Sequence, residues 1–163
     1  MKVVALAGGV GGAKLADGLA RTLPAGDLTV IVNTGDDFDL HGLHICPDLD
    51  TVMYTLGGIA NPETGWGITG DTFNALGMIE QYGEISWFHL GDRDLATHIL
   101  RTAWRRQGEP LHRVTRRLAT ALGVTQQLLP MTDDDVATVL VTDEGELAFQ
   151  EYFVRRQWQV AVR

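Results

Sequence analysis

The stretch VNTGDDFDLHGLHICPDLDT, residues 32–51, holds five aspartates, two histidines and no lysine or arginine. Asp36, Asp37 and Asp39 fall within four residues, and Asp48 and Asp50 are separated by a single leucine. Crowded like charges oppose folding unless a cation lies between them. A hard divalent ion such as magnesium takes carboxylate oxygens and completes its shell with water and substrate phosphates. Two or three of Asp36 and Asp37, after the second strand, and Asp48 and Asp50, in the first turn of the next helix, would suffice as ligands. Plainer roles compete: Asp48 as a helix N-cap, and Asp39 as a solvated side chain. His41, His44 and the lone Cys46 match no zinc spacing, and the oxygen-rich company favours magnesium.

A second candidate is AGGVGGAKL, residues 7–15. Glycines between a strand and a helix let the backbone approach a phosphate, with the helix amides directed at it. Gly8, Gly9, Gly11 and Gly12 are the candidates, with Lys14 assisting. Neither strict motif is met. The dinucleotide fingerprint needs glycine where Lys14 stands, and the P-loop needs Gly-Lys-Ser/Thr where Ala13-Lys14-Leu15 stands. A tight turn without ligand is the competing reading. Asn33 and Thr34 offer side-chain hydrogen bonds just beyond, or only close the turn. Arg93 carries a planar fork suited to phosphate, or pairs with its neighbours Asp92 and Asp94. Trp66 and Trp87 offer flat faces to a ring-bearing ligand, although tryptophan is most often core.

These residues need elements to position them. KVVALA (2–7) is a compact apolar run of the kind found in buried parallel strands, AKLADGLARTL (13–23) has helical spacing, and LTVIVNT (28–34) is rich in β-branched residues. Together they make a right-handed βαβ unit. Pro47 suits the first turn of a helix continuing through 49–56, and 57–71 is a glycine-rich loop of a length that is usually functional or mobile. Helices are predicted over 72–83, 95–108 and 110–123. ISWFHL (85–90) is predicted as the third strand, with GDRD (91–94) as its turn, and 136–154 as a β-hairpin around DEG. The alternation predicts a single α/β domain over 1–163 with a mostly parallel sheet. Ligands of open sheets bind at the carboxyl edge of the strands, where the glycines and aspartates fall.

The chain has 163 residues, 45% hydrophobic and 21% charged, with net charge −8. It shows no basic patch for a nucleic-acid backbone and no run of apolar residues long enough to span a membrane. The N-terminal apolar run breaks into glycines too early for a secretory signal. A single cysteine suits a reducing cytoplasm.

GGVGGAKLADGL (8–19), the stretch 32–58, GWGITGDTFNALG (65–77), WFHLGDRDLATHILR (87–101) and LLPMTDD (128–134) follow one another in an order that resembles the 2-phospho-L-lactate transferases of coenzyme F420 biosynthesis. PDLDT and LGDRDLATH are the most specific strings. The resemblance implies a Rossmann-like three-layer fold and a magnesium-dependent transferase. Such an enzyme moves the phospho-acid of a guanylyl-activated phospholactate, or phosphoenolpyruvate, onto the ribityl hydroxyl of the deazaflavin FO and releases GMP. It implies FO contacts at Asp50 and His89 (a lysine in some members), with Asp50 orienting or deprotonating the hydroxyl. It further implies metal binding in the region of Asp36, Asp37 and Asp48, glycine-loop amides on phosphate, and a homodimer. Family members continue into a second half with a PSNP…S phosphate-binding stretch that these 163 residues lack. The expectation is therefore a fold truncated relative to the family, with weak or no turnover by this chain alone. Two other readings are a sugar-nucleotide-binding regulator of the gluconeogenesis-factor type and a magnesium-dependent phosphohydrolase.

Overall fold

A computed structural model describes residues 1–24 and 26–163. Three parallel strands form the central sheet: β1 (Val3–Ala7), β2 (Leu28–Val32) and β5 (Gln127–Pro130), in the order β1-β2-β5. Val3 pairs with Leu28 and Ala7 with Val32; Thr29 pairs with Gln127 and Val32 with Pro130. Helix α1 (Gly9–Thr22) crosses from β1 to β2 and packs on α2 (Pro47–Leu56). The helices α3 (Asn74–Gln81), α4 (Asp92–Arg106) and α5 (Leu111–Ala121) precede β5. Two antiparallel hairpins complete the fold, β3 (Phe38–Leu40) with β4 (Leu43–Ile45) and β6 (Val139–Thr142) with β7 (Gly145–Ala148). A π-helical turn, Glu151–Arg155, follows β7.

The α/β class and the parallel sheet agree with the sequence. One core joins Ala5, Val30, Val32 and Leu128 of the sheet to Ala13 and Ala16 of α1, Leu49 and Val52 of α2, and Leu111 and Val114 of α5. Burying such side chains is the main favourable term in folding. The alternate residues of β1 face the other way, and Val4 and Leu6 are 62% and 77% exposed. The run KVVALA is thus an edge strand buried on one face, where its apolar composition predicts burial on both. Helix α1 starts at Gly9, earlier than the spacing predicts, because its first turn is glycine-rich and glycine masks a helical pattern. Gly12 is required there: a Cβ would stand 3.0 Å from Ala7 Cα, so helix and strand meet backbone to backbone.

The predicted strand 85–90 is not one. Its residues run without a ladder partner over the β3–β4 hairpin, where Leu90 and Phe88 join Leu40, Ile45 and Phe38 in a second small core. The apolar run records burial, not pairing. The third parallel strand is β5, and β3–β4 is a hairpin hidden within the aspartate stretch. Its two-residue turn, His41-Gly42, has φ of 52° and 71°, the left-handed geometry of a tight hairpin.

Two aspartates hold α3 and α4 together reciprocally. Asp71 accepts from the backbone amides of Arg93 and Asp94 at the start of α4. Asp92, the first residue of α4, accepts from the amides of Asn74 and Ala75 at the start of α3 and from Thr72 Oγ1. Asp92, although it stands in the first turn of α4, therefore caps the preceding helix.

Candidate functional site

The site lies at the carboxyl edge of the sheet, where β1 runs into the glycine turn and β2 into Asn33. Asn33 is its hub. Its amide nitrogen donates to Asp36 Oδ1 and to Asp48 Oδ2, each at 3.0 Å, and its amide oxygen accepts from Gly35 N. Both protons of one amide are thus spent on two carboxylates. Pro47 sets the start of α2 and so places Asp48 in its first turn, facing the glycines. A Cβ on Gly8 would stand 2.9 Å from Asp48 Oδ2, and one on Gly9 3.4 Å from Asp48 Oδ1. Gly9, at φ +58°, also needs its left-handed conformation. Gln150, just after β7, donates to Asp36 Oδ2 at 3.3 Å and closes the pair from the C-terminal side.

Burial, and then the nearby charge of Asp48, push the Asp36 carboxyl above its ordinary value, against the opposing Asn33 hydrogen bond. Two carboxylates gathered at a helix N-terminus, one of them costly to ionise, are a hard oxygen donor set that fits a magnesium ion. A carboxyl raised in the folded state binds more protons there than in the unfolded chain. Its stabilising effect is complete below the unfolded value and is lost as pH rises through the folded one. Asp36→Asn should therefore stabilise the metal-free chain at neutral pH by roughly 0.5 kcal/mol, with the gain shrinking as pH falls through the raised folded value and absent below about pH 4, the unfolded value. Urea unfolding in EDTA across pH checks this. Equal stability at pH 7 would show that the pair is not repulsive.

Asp37 does not join that pair, contrary to its assignment as a third ligand. It turns inward to the hairpin, with Oδ2 3.5 Å from His44 Nε2, and it is 5% exposed with Oδ1 unpartnered. Burial raises its carboxyl, opposed by His44 and Cys46. Asp37, His44 and Cys46 bring an oxygen, a nitrogen and a sulfur within 4.8 Å of one another, which no linear zinc spacing announces. Asp39 is the solvated residue expected: its side chain is 77% exposed and meets His44 Nδ1 at 3.2 Å.

Other candidates are also placed. Gly11 and Lys14 lie in the first turns of α1, and Lys14 is exposed on its surface. Thr34 is buried at the rim with its hydroxyl unpartnered. Arg93 donates to Thr69 O at 3.0 Å, tying down the glycine-rich loop, and forms no ion pair with Asp92 or Asp94 among the described residues. That loop packs on the glycine turn, for a Cβ on Gly65 would meet Val10 Cγ1 at 2.7 Å.

Beside the carboxylate pair opens a cavity of about 340 Å³. Asp50 and His89, far apart in sequence, both line it, together with Trp66, Trp87 and Phe88. Gly9 and Asp48 stand at its edge, so cavity and carboxylate pair are continuous. Its size and aromatic walls suit a small planar ligand. A larger cavity of about 490 Å³ borders the β3–β4 hairpin, where Arg105 is already paired with Asp135 at 2.6 Å.

Beneath Asp50 lies a polar network that the sequence reading passed over. Arg101 forms a two-pronged ion pair with Asp50, through Nη1 to Oδ2 at 3.0 Å and through Nη2 to Oδ1. His98 and Asp94 lie alongside, and Tyr54 Oη donates to Asp94 Oδ1 at 2.6 Å. Asp50, Asp94 and His98 have metal-ligand spacing, but the guanidinium already supplies their cation. Burial works against the charge of Arg101, and its neighbours, Asp50 foremost, together more than compensate. Burial would likewise raise Asp94, but His98, Tyr54 and Arg101 hold it below its ordinary value. The signal was available: Asp94, His98 and Arg101 are spaced four and three apart on one helical face.

A parallel sheet with a glycine turn, a carboxylate pair and an aromatic cavity at one edge defines a Rossmann-like α/β protein with a candidate ligand site. The family model of the 2-phospho-L-lactate transferase CofD matches residues 3–163, and the chain belongs to that family. It is 52% identical over 160 residues to a phosphoenolpyruvate transferase of Streptomyces griseus, covering 95% of this chain and 50% of that protein. It is 43% identical over 150 residues to a 2-phospho-L-lactate transferase of Methanospirillum hungatei, covering 92% and 50%. The chain thus spans about half the length of these relatives. A Bacillus halodurans protein of the UPF0052 family shares the fold at TM-score 0.59 and 15% identity, over all of this chain and 50% of that one. No helix among the described residues is long and apolar enough to cross a membrane.

Proposed function

We propose that this chain carries the acceptor site and part of the donor site of a transferase of coenzyme F420 biosynthesis. The enzyme moves a phosphoenolpyruvyl or phospholactyl group from its guanylyl-activated form to the ribityl hydroxyl of FO. The observation that carries this reading is the continuity of the Asp36–Asp48 pair with the cavity lined by Asp50, His89 and two tryptophans. A charged diphosphate and a flat ring need adjoining sites of these two kinds. Identity to the Streptomyces relative exceeds that to the Methanospirillum one, which favours phosphoenolpyruvate.

In the reaction the hydroxyl oxygen bonds to the phosphorus bearing the acid, the bond from that phosphorus to the GMP oxygen breaks, and the hydroxyl proton leaves with the departing GMP phosphate or to solvent. Transfers of this kind need positioning and charge neutralisation more than covalent help. Asp36 and Asp48 would hold a magnesium ion, which would supply charge neutralisation for the diphosphate and the departing GMP. Asn33 keeps the two carboxylates aimed together. The first-turn amides of α1 add donors for a phosphate oxygen. Trp66 and Trp87 enclose the ring, and Asp50 accepts the hydroxyl's hydrogen bond. The enzyme acts as a homodimer in the cytoplasm on this reading.

A melting-temperature panel with magnesium tests the assignment. FO is expected to raise the melting temperature. A rise with a UDP-sugar and none with FO would replace the transferase by a sugar-nucleotide regulator. Phosphate release from a nucleotide without FO would replace it by a phosphohydrolase.

A further inference from the structure

We propose that Arg101 is the positioning residue for Asp50: it fixes the carboxylate as a hydrogen-bond acceptor turned toward the cavity. The inference rests on reading that cavity as the FO site. Arg101 is 1% exposed and is among the largest fully buried side chains of the molecule. It does not line the cavity, whereas Asp50, Tyr54, Asp94 and His98 all do. It stands behind Asp50, one prong on each carboxylate oxygen. A carboxylate has about four lone-pair directions, so a two-pronged guanidinium leaves one on each oxygen for a ligand.

The network also fixes the guanidinium. Arg101 Nη1 lies 3.2 Å from His98 Nδ1. A guanidinium has no acceptor, so Nδ1 receives the bond and the imidazole proton sits on Nε2. Nε2 lies 3.3 Å from Asp94 Oδ1 without hydrogen-bond geometry, and that oxygen accepts from Tyr54 Oη. The seam thus alternates Asp50 and Tyr54, one turn apart on α2, with Asp94, His98 and Arg101 along α4. Two helices meet through it directly under the cavity.

Energetics favour orientation over stability as its effect. Burying an ion pair costs desolvation that its attraction barely returns, and apolar side chains of similar volume often do as well. What a fork uniquely supplies is direction. Both oxygens of Asp50 are engaged by a permanent cation, so its part is to aim the acceptor hydroxyl and not to take its proton.

Fluorescence titration of FO against the 163-residue chain in magnesium tests this, with the folded fraction measured alongside. Arg101→Ala should weaken FO binding about 10- to 100-fold, the usual effect of removing an orienting partner. Non-denaturing guanidinium chloride should restore much of that loss by refilling the fork, whereas in wild type it should not tighten binding. Arg101→Lys keeps the charge without the fork, serves where the alanine variant does not fold, and should bind FO more weakly than wild type per folded molecule. Wild-type affinity in the folded variants, or no recovery with guanidinium, would overturn the proposal while leaving the cavity assignment standing. Absence of FO binding by wild type would overturn both.

Discussion

Asp48→Asn is expected to weaken magnesium-dependent binding of guanosine diphosphate, a probe for the donor's diphosphate, by about a hundredfold or more. Removing even an outer-shell partner of a metal ligand costs 10- to 100-fold, and Asp48 is here one of only two carboxylates that Asn33 gathers. The substitution is nearly isosteric beside Gly8 and Gly9, so the loss reports charge and not shape. Without magnesium the variant should bind the anionic probe no worse than wild type, because a carboxylate by itself repels it. Calorimetric titration with and without magnesium checks both arms. Equal magnesium dependence in the two proteins would remove Asp48 from the site.

The second large effect is on stability. Arg101→Met should destabilise the chain by about 3–5 kcal/mol, because it strands the Asp50 carboxylate in the interior without its cation. The double variant Asp50→Leu/Arg101→Met should recover most of that loss, since it removes both charges and leaves apolar volume in their place. Urea unfolding of the single and double variants measures the difference. If the double variant is as unstable as the single one, packing of the Arg101 stem, and not charge compensation, dominates there. The recovered double variant should still fail to bind FO, because Asp50 is gone, which separates the pair's contribution to stability from Asp50's contribution to binding.

The glycine turn, Pro47 at the first turn of α2, and the order of strand, helix and strand were legible because each is a local matter of backbone conformation or apolar period. So was the placement of Asp36 and Asp48 at one sheet edge, which follows once both flanking elements are recognised. The turn of Asp37 away from them was not. It depends on the β3–β4 hairpin, whose His-Gly turn lacks the usual Asn-Gly or Asp-Gly pair and whose strands are only three residues long. The segment 85–90 misled for the opposite reason: its side chains are those of a strand, but pairing is decided by a neighbouring backbone that spacing cannot supply. Arg101 shows a third kind of difficulty. Arginine in a helix near a cationic last turn is usually solvated, and this one is buried because α2 and β4 both face it. Within α4 the spacing of Asp94, His98 and Arg101 was visible; the partner across the interface was not.

The central claim is that Asp36 and Asp48 grip a dication next to a cavity that takes the deazaflavin ring. Anomalous diffraction from a crystal grown with manganese and FO tests it most directly. The account predicts an anomalous peak between the two carboxylates, the ring between Trp66 and Trp87, and the ribityl hydroxyl on Asp50. Carboxylates turned apart with no peak between them, or FO bound away from Asp50, would contradict it.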